Sequence, residues 1–288
     1  MRISAFFENI GQAAKETGTP LQELLVQLKQ AGLESVYASY SWCMKLREQQ
    51  MMPLLNHLGI TLEGLWDTAP FNTMTEEDAR AHYTAMVDCA ARNGAKHLLI
   101  TPAVFHGRED AAKVTRQEVA DREPEIRKMI EAVRAAKQYG EEKGVAVTME
   151  PYDGFISPIV FPEVLRRCFE EIPGLKCSFD TGNFVPCDAD VMEEFHYYKD
   201  KIVTIHLKDR VENNDPDGIE TVPYITESGK RYYPAAVGSG DMPILEIIKE
   251  MNRMGYTGAG IIELFGSNDI TNKLFASIRW MKENANIC

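Results

Sequence analysis

Three carboxylates and one imidazole stand at the ends of four strand-like runs in this sequence. His206 lies in the run 202–210, and Glu150, Asp180 and Glu263 each close an apolar run of their own. A buried carboxylate is costly unless it is paired or bound to a cation, so core packing does not account for three of them beside an imidazole. Together the four groups form an oxygen-rich ligand set that suits Mn²⁺ or Mg²⁺, with Zn²⁺ or Co²⁺ as alternatives.

The alternation of side chains in these runs predicts that the four groups converge. Alternate residues of a strand share a face, so Thr204, His206 and Lys208 lie on one face of the run 202–210 and apolar residues lie on the other. The run becomes polar and basic at its C-terminal end, where a parallel α/β barrel carries its active site. For any one of these residues alone, a charged strand end that meets solvent is an equally good interpretation.

Strand-like and helix-like segments alternate eight times along the 288 residues. The predicted strands are 3–7, 36–39, 60–65, 97–101, 145–150, 175–180, 202–210 and 261–263. Such alternation with short connections predicts parallel strands and right-handed crossovers. Eight units in a chain of this length favour an α/β fold with one closed (β/α)8 barrel, a TIM barrel, over two doubly wound domains. We predict a single domain over residues 1–288, because no linker rich in Gly, Pro or Ser divides them.

Helix signals complete the architecture. The predicted helices are 17–31, 45–58, one from a capping box at Thr75 to Asn93 and Gly94, 122–143, 162–171, 190–199, 243–254 and 270–283. Trp66 and Asp67 are predicted in a loop after the third strand, and Pro102 is predicted to stop the fourth strand.

The segment 211–237, between the seventh strand and its helix, is too long for a simple connection. It carries the turn 215–218 and the pair Tyr232 and Tyr233. As an insertion in this loop it would hang over the carboxyl end of the barrel, and we interpret it as a lid. A contact between subunits is the alternative interpretation.

The composition is ordinary for a globular protein, with 26% charged and 44% apolar residues. No uninterrupted apolar run approaches the roughly 20 residues that a membrane helix needs, and the apolar start is too short for a signal peptide. The six cysteines show no metal-site spacing, which favours a reducing, cytoplasmic location. The net charge of -12 and the lack of basic clusters argue against a nucleic-acid partner.

The motifs around these residues resemble those of the xylose isomerase-like superfamily of sugar phosphate isomerases and epimerases. The resemblance covers nearly the whole chain and is carried by Met149-Glu150-Pro151, Phe179-Asp180-Thr181-Gly182-Asn183, Ile205-His206-Leu207-Lys208-Asp209, Val237-Gly238-Ser239-Gly240-Asp241, Gly255-Tyr256-Thr257-Gly258 and Ile262-Glu263. It implies that Glu150, Asp180, His206 and Glu263 bind one divalent metal ion. It also implies that Glu150 and Glu263 act as acid and base, and that the protein is a homo-oligomer, a dimer or tetramer.

The resemblance implies an enzyme that isomerises or epimerises a small ketose or ketose phosphate through an enediolate. An inosose-type dehydratase with the same metal site is the main alternative. An endonuclease of the related apurinic branch is disfavoured by the acidic charge, and a catalytically silent sugar-binding protein is disfavoured by the presence of all four ligand types.

Five further residues are predicted to bind the substrate: Lys208, Arg210, Asn183, His106 and Trp66. For Trp66, packing in the core or at the rim of the barrel is the favoured alternative. Lys208 and Arg210 could hold a phosphate or a sugar hydroxyl, with a salt bridge to Asp209 or to acids of the lid as the alternative. Asn183 stands where several members of the family carry a histidine. Residues 238–241 could bind a phosphate, but we favour a turn in which Asp241 caps the next helix.

Overall fold

The computed structural model describes residues 1–48, 51–105, 114–153, 156–213, 218 and 222–287. Its strands in chain order are β1 (Arg2–Phe6), β2 (Ser35–Ser39), β3 (Thr61–Pro70), β4 (His97–Ala103), β5 (Ala146–Met149), β6 (Lys176–Asp180), β7 (Ile202–Leu207), β8 (Asp209–Glu212), β9 (Tyr224–Ile225), β10 (Arg231–Ala235) and β11 (Ala259–Ile262). Strands β1 to β7 and β11 pair in parallel and close into an eight-stranded barrel. The predicted TIM-barrel architecture is confirmed.

Helices surround the barrel. They are α1 (Phe7–Thr17), α2 (Leu21–Ala31), α3 (Tyr40–Glu48), α4 (Met51–Leu58), α5 (Glu76–Arg92), α6 (Arg116–Ala120), α7 (Glu123–Lys143), α8 (Pro162–Glu171), α9 (Val191–Tyr198), α10 (Ile244–Arg253) and α11 (Ile270–Asn284). The capping box is present, since the Asp78 N–H donates to Thr75 Oγ1 and the Thr75 N–H donates to Asp78 Oδ2. Among the described helices, none is long and apolar enough to cross a membrane.

The prediction for the first helix was wrong at its start. Two helices follow β1, because Gly18 ends α1 in the left-handed conformation, with φ of 68°, and Pro20 precedes α2. A glycine adopts this conformation without the steric cost that a Cβ atom brings. The predicted helix 45–58 likewise corresponds to two helices. The first is α3, which already begins at Tyr40, and the second is α4.

Two predicted strand ends were also wrong. Trp66 and Asp67 lie within β3, and β4 continues through Pro102 to Ala103. The Ala103 carbonyl accepts a hydrogen bond from the Phe71 N–H on the β3 side, so Pro102 faces the opposite edge. Pairing of β4 with β5 ends at Leu99, and no donor is needed from Pro102.

A line of hydroxyl groups inside the barrel confirms the predicted alternation. Ser178 Oγ lies 2.8 Å from Thr148 Oγ1 and 2.7 Å from Thr204 Oγ1, and all three side chains are buried. Each of these residues stands two positions before Glu150, Asp180 or His206. The acidic and imidazole groups therefore continue the same inward face towards the carboxyl end of the barrel.

The described part of the insertion is a small antiparallel sheet with strand order β8-β10-β9. Asp209, at its start, accepts hydrogen bonds from the backbone N–H groups of Gly238, Gly240 and Met242, and so joins the two ends of the insertion. The prediction that Asp241 caps α10 was wrong, because Pro243 holds that position. Residues 214–217, which include most of the predicted turn, lie outside the described residues.

Candidate metal centre and pocket

Four neighbouring strands of the barrel bring the predicted ligands together. Glu150 follows β5, Asp180 ends β6, His206 lies in β7 and Glu263 follows β11. His206 Nδ1 is 2.7 Å from Glu150 Oε2 and 3.5 Å from Glu263 Oε2. One ligand atom from each of Glu150, Asp180 and His206 falls within 4.8 Å of the others, and this group of three does not include Glu263.

Backbone donors hold the Asp180 carboxylate in one orientation. Its Oδ1 accepts hydrogen bonds from the N–H groups of Gly182 and Asn183, each at 2.7 Å. Its Oδ2 is buried and has no hydrogen-bond partner among the described residues. One oxygen is thus used by the protein, and the other is left to a ligand.

The other predicted ligands also have buried polar atoms without hydrogen-bond partners among the described residues. Several buried atoms of the centre have no hydrogen-bond partner among the described residues: Glu150 Oε2, Glu263 Oε2, and both ring nitrogens of His206. The 2.7 Å separation of His206 Nδ1 and Glu150 Oε2 lacks the alignment of a hydrogen bond. Buried polar atoms that crowd together without bonding to one another suit the ligands of a shared cation, so the residues fit a divalent metal ion.

Burial and mutual charge dominate the electrostatics. Burial raises the pKa of both Glu150 and Asp180. Burial opposes protonation of His206, but the carboxylates of Glu150 and Glu263 outweigh it and raise the imidazole pKa to about 10. Burial would also raise the pKa of Glu263, yet Lys208 and His206 lower it to about 2. Ionisation of Glu150 and Asp180 is therefore costly in this buried centre, and a divalent cation would offset that cost.

Lys208 lies beside this centre with its ammonium group fully engaged. Nζ is 2.7 Å from Glu263 Oε1, 2.8 Å from Asp153 Oδ2 and 2.8 Å from Asn183 Oδ1. The Asn183 amide also donates to the Pro151 carbonyl, at 2.9 Å. Asn183 therefore positions Lys208 against the loop that follows β5.

Arg210 pairs with the same acid, which sequence reasoning missed. Its guanidinium lies 2.6 Å from Asp153 Oδ2 and over the ring of Tyr224, 4.7 Å from the ring centroid. The Tyr224 hydroxyl donates to the Asp153 carbonyl. The salt bridge to Asp209 considered above is not formed, since Asp209 binds backbone N–H groups instead. The signal for Asp153 was its place three residues after Glu150, at a predicted strand end.

A pocket of about 580 Å³ opens over these groups. Phe6, Trp66 and Phe265 form an aromatic wall, with Trp66 meeting the other two rings edge-on at centroid distances of 6.3 and 5.9 Å. Lys208, Arg210 and Asn183 also line the pocket, and the insertion contributes Val222, Pro223, Tyr224 and Pro234. The remaining predicted substrate residue, His106, lies outside the described residues.

The chain belongs to the xylose isomerase-like TIM barrel family, whose model matches residues 6–284. No curated protein sequence matches it. Among solved structures with the same fold is the probable 3-DHS dehydratase AsbF of Bacillus anthracis, at 14% identity and a TM-score of 0.70, covering 98% of this chain and 99% of that one.

Two further structures share the fold. The 3-keto-D-glucoside 4-epimerase YcjR of E. coli is 13% identical, with a TM-score of 0.69 and coverage of 98% of this chain and 99% of its own. A xylose isomerase-like TIM barrel protein of Mycobacterium smegmatis, solved in complex with magnesium, is 14% identical, with a TM-score of 0.67 and coverage of 92% and 88%.

Proposed function

We propose that this protein is a divalent-metal-dependent isomerase or epimerase of a small ketose or ketose phosphate. One observation carries the proposal. Two carboxylates from different strands, Glu150 and Glu263, approach the same imidazole nitrogen of His206, and each keeps a buried oxygen without a hydrogen-bond partner among the described residues. Both residues line the pocket, so a bound sugar would meet two carboxylates at once.

Glu150, Asp180, His206 and Glu263 would hold the metal ion, Mn²⁺ or Mg²⁺ by the chemistry of the donors. When bound, the ion would polarise a sugar carbonyl and the adjacent hydroxyl and so acidify the C–H bond between them. Membership of the family and the unpartnered acceptor atoms support this ligand set.

The side chains of the pocket supply the proton transfers. One of Glu150 and Glu263 removes the proton from the carbon beside the carbonyl, and the other returns a proton from its own side. The aromatic wall of Phe6, Trp66 and Phe265 covers an apolar face of the sugar and limits access of water to the enediolate.

A dehydratase of the inosose type is the second candidate function. Glu150 and Glu263 both line the pocket, so a second carboxyl group stands beside the candidate base. After one of them has removed the proton, the protonated form of the other could protonate a β-hydroxyl group as it leaves as water. Both functions use the same residues, and they differ only in whether water is lost.

NMR analysis of products in D₂O tests the proposal. A panel of ketoses, ketose phosphates and inososes is incubated with the protein and Mn²⁺ or Mg²⁺. We expect a ketose to exchange the proton beside its carbonyl for deuterium and to appear as a new epimer or isomer. An unsaturated product formed with loss of water would support the dehydratase instead, and sugar binding without any turnover would reject both enzymes.

The insertion is a wall of the pocket, which supports its interpretation as a lid. Replacing residues 213–232 with a short Gly-Ser linker removes Val222, Pro223 and Tyr224 from the pocket. We expect kcat/KM to fall by at least about 100-fold with an unchanged number of subunits in solution, because substrate positioning and exclusion of water are lost.

Two point variants separate the two sides of the short strand β9. Tyr224 lines the pocket, whereas its neighbour Ile225 is 45% exposed. A lid predicts that Tyr224→Ala lowers kcat/KM and that Ile225→Ala does not. Light scattering that shows a smaller assembly for the linker variant would instead identify the insertion as a contact between subunits.

We also propose that the protein is a cytoplasmic homo-oligomer, a dimer or tetramer, whose ligand is a small sugar and not a nucleic acid. The net charge of -12 supports the exclusion of nucleic acid. Light scattering of the unmodified protein measures the number of subunits.

A further inference from the structure

We infer that Asp153 makes this pocket selective for uncharged sugars and excludes phosphorylated or carboxylated ones. The inference rests on the proposed function and narrows its substrate class. Its basis is that Asp153 forms ion pairs with both cationic side chains of the pocket, Lys208 and Arg210.

Lys208 has no donor left for an anionic ligand. A lysine ammonium group has three N–H donors. Three oxygen atoms lie within 2.8 Å of Nζ, and they belong to Glu263, Asp153 and Asn183. Two of these three acceptors are carboxylates, so the positive charge of Lys208 is already neutralised within the protein.

Arg210 is also paired with a carboxylate of the protein. Its side chain is 5% exposed, and the guanidinium is held between Asp153 Oδ2 and the face of Tyr224. Its Nε has no partner among the described residues, but this atom is buried and offers no surface to the pocket. An anion that approached this guanidinium would have to compete with Asp153 for its positive charge.

Asp153 itself faces the pocket. Its side chain is 22% exposed, and it lines the cavity together with Glu150 and Glu263. An anionic group on the substrate would be repelled by the Asp153 carboxylate. To bind Lys208 or Arg210, it would also have to break the bonds of Asp153 to these two cations. Selectivity of this kind comes from repulsion of the charged ligand, and it does not weaken the binding of an uncharged sugar.

Inorganic sulfate is a probe of this charge preference that needs no turnover. Isothermal calorimetry on the Mg²⁺-loaded protein compares the wild type with Asp153→Asn, which keeps the size of the side chain and removes its charge. Because two cations then lose their shared counter-charge, we expect sulfate to bind Asp153→Asn at least about tenfold more tightly than it binds the wild type. Asp153→Ser, which removes the same charge with a smaller side chain, should shift the affinity in the same direction.

Two controls show that the gain comes from the pocket. Glu171→Gln partly frees Arg167, an arginine paired with two glutamates outside the pocket, and should leave the sulfate affinity unchanged. Adding Arg210→Gln to Asp153→Asn should return the affinity towards that of the wild type. Sulfate binding of equal strength to the wild type and to both Asp153 variants would overturn the inference.

The substrate assay gives an independent check. The wild type should convert an uncharged ketose with a higher kcat/KM than its phosphate ester, and a preference for the ester would also overturn the inference. If no ketose is converted but the contrast in sulfate affinity is found, the proposed function fails while the charge preference set by Asp153 stands.

Discussion

Glu263→Gln should lower turnover by about 10²-fold to 10⁴-fold while the protein keeps most of its bound metal ion. An amide oxygen can still coordinate a cation, but an amide cannot accept the proton that the carboxylate would remove. The variant also keeps the size of the side chain, which is 5% exposed. The measurement is kcat beside the metal-to-protein ratio from elemental analysis.

Glu63→Gln is the matched control for this prediction. Glu63 is as buried as Glu263, at 4% exposure, but it lies at the opposite end of the barrel, where it pairs with Arg2. It should leave kcat unchanged, whatever it does to stability. Wild-type turnover in Glu263→Gln would refute a catalytic role, and a loss of turnover that matches the loss of metal would reduce Glu263 to a ligand.

Asp180→Asn should lose the metal ion, with an affinity at least about 100-fold lower and turnover reduced in proportion. The backbone N–H groups of Gly182 and Asn183 both donate to Asp180 Oδ1, so the amide oxygen of the new asparagine must take that position. The NH₂ group then stands where Oδ2 faces the centre, and it presents hydrogen atoms in place of a lone pair. Titration with Mn²⁺, followed by the rise in thermal stability on binding, measures the affinity.

Asp190→Asn tests whether such an exchange disturbs the fold by itself. Asp190 Oδ1 likewise accepts hydrogen bonds from two backbone N–H groups, those of Met192 and Glu193, but at the exposed start of α9. This control should bind Mn²⁺ as the wild type does. If Asp180→Asn also binds Mn²⁺ with wild-type affinity, Asp180 is not a ligand.

Local patterns in the sequence were sufficient to predict the barrel and the convergence of its acidic groups. Alternation along a strand is a property of the extended backbone, so the inward direction of Thr148, Ser178 and Thr204 already determines that of the residues two positions later. The capping box at Thr75 was predictable for the same reason, since both of its hydrogen bonds lie within four consecutive residues.

Strand ends depended on neighbours that no local pattern contains. Pro102 is a strong signal to stop a strand, but it remains within β4. The edge that it faces no longer pairs with β5 at this position, so the missing N–H group breaks no hydrogen bond. The extension of β3 through Trp66 has the same origin, since its pairing with β4 continues to Pro70. Whether a residue belongs to a strand thus depends on the register with the next strand.

Side-chain partners inside the pocket were decided by the tertiary structure alone. Asp209 lies between Lys208 and Arg210 in the sequence, yet both cations form ion pairs with Asp153. Asp209 and Arg210 are adjacent in β8 and so point to opposite faces, whereas the loop after β5 brings Asp153 within reach of both cations. The sequence therefore determined which groups reach the carboxyl end of the barrel, and only the packing of its loops decided which charges they neutralise there.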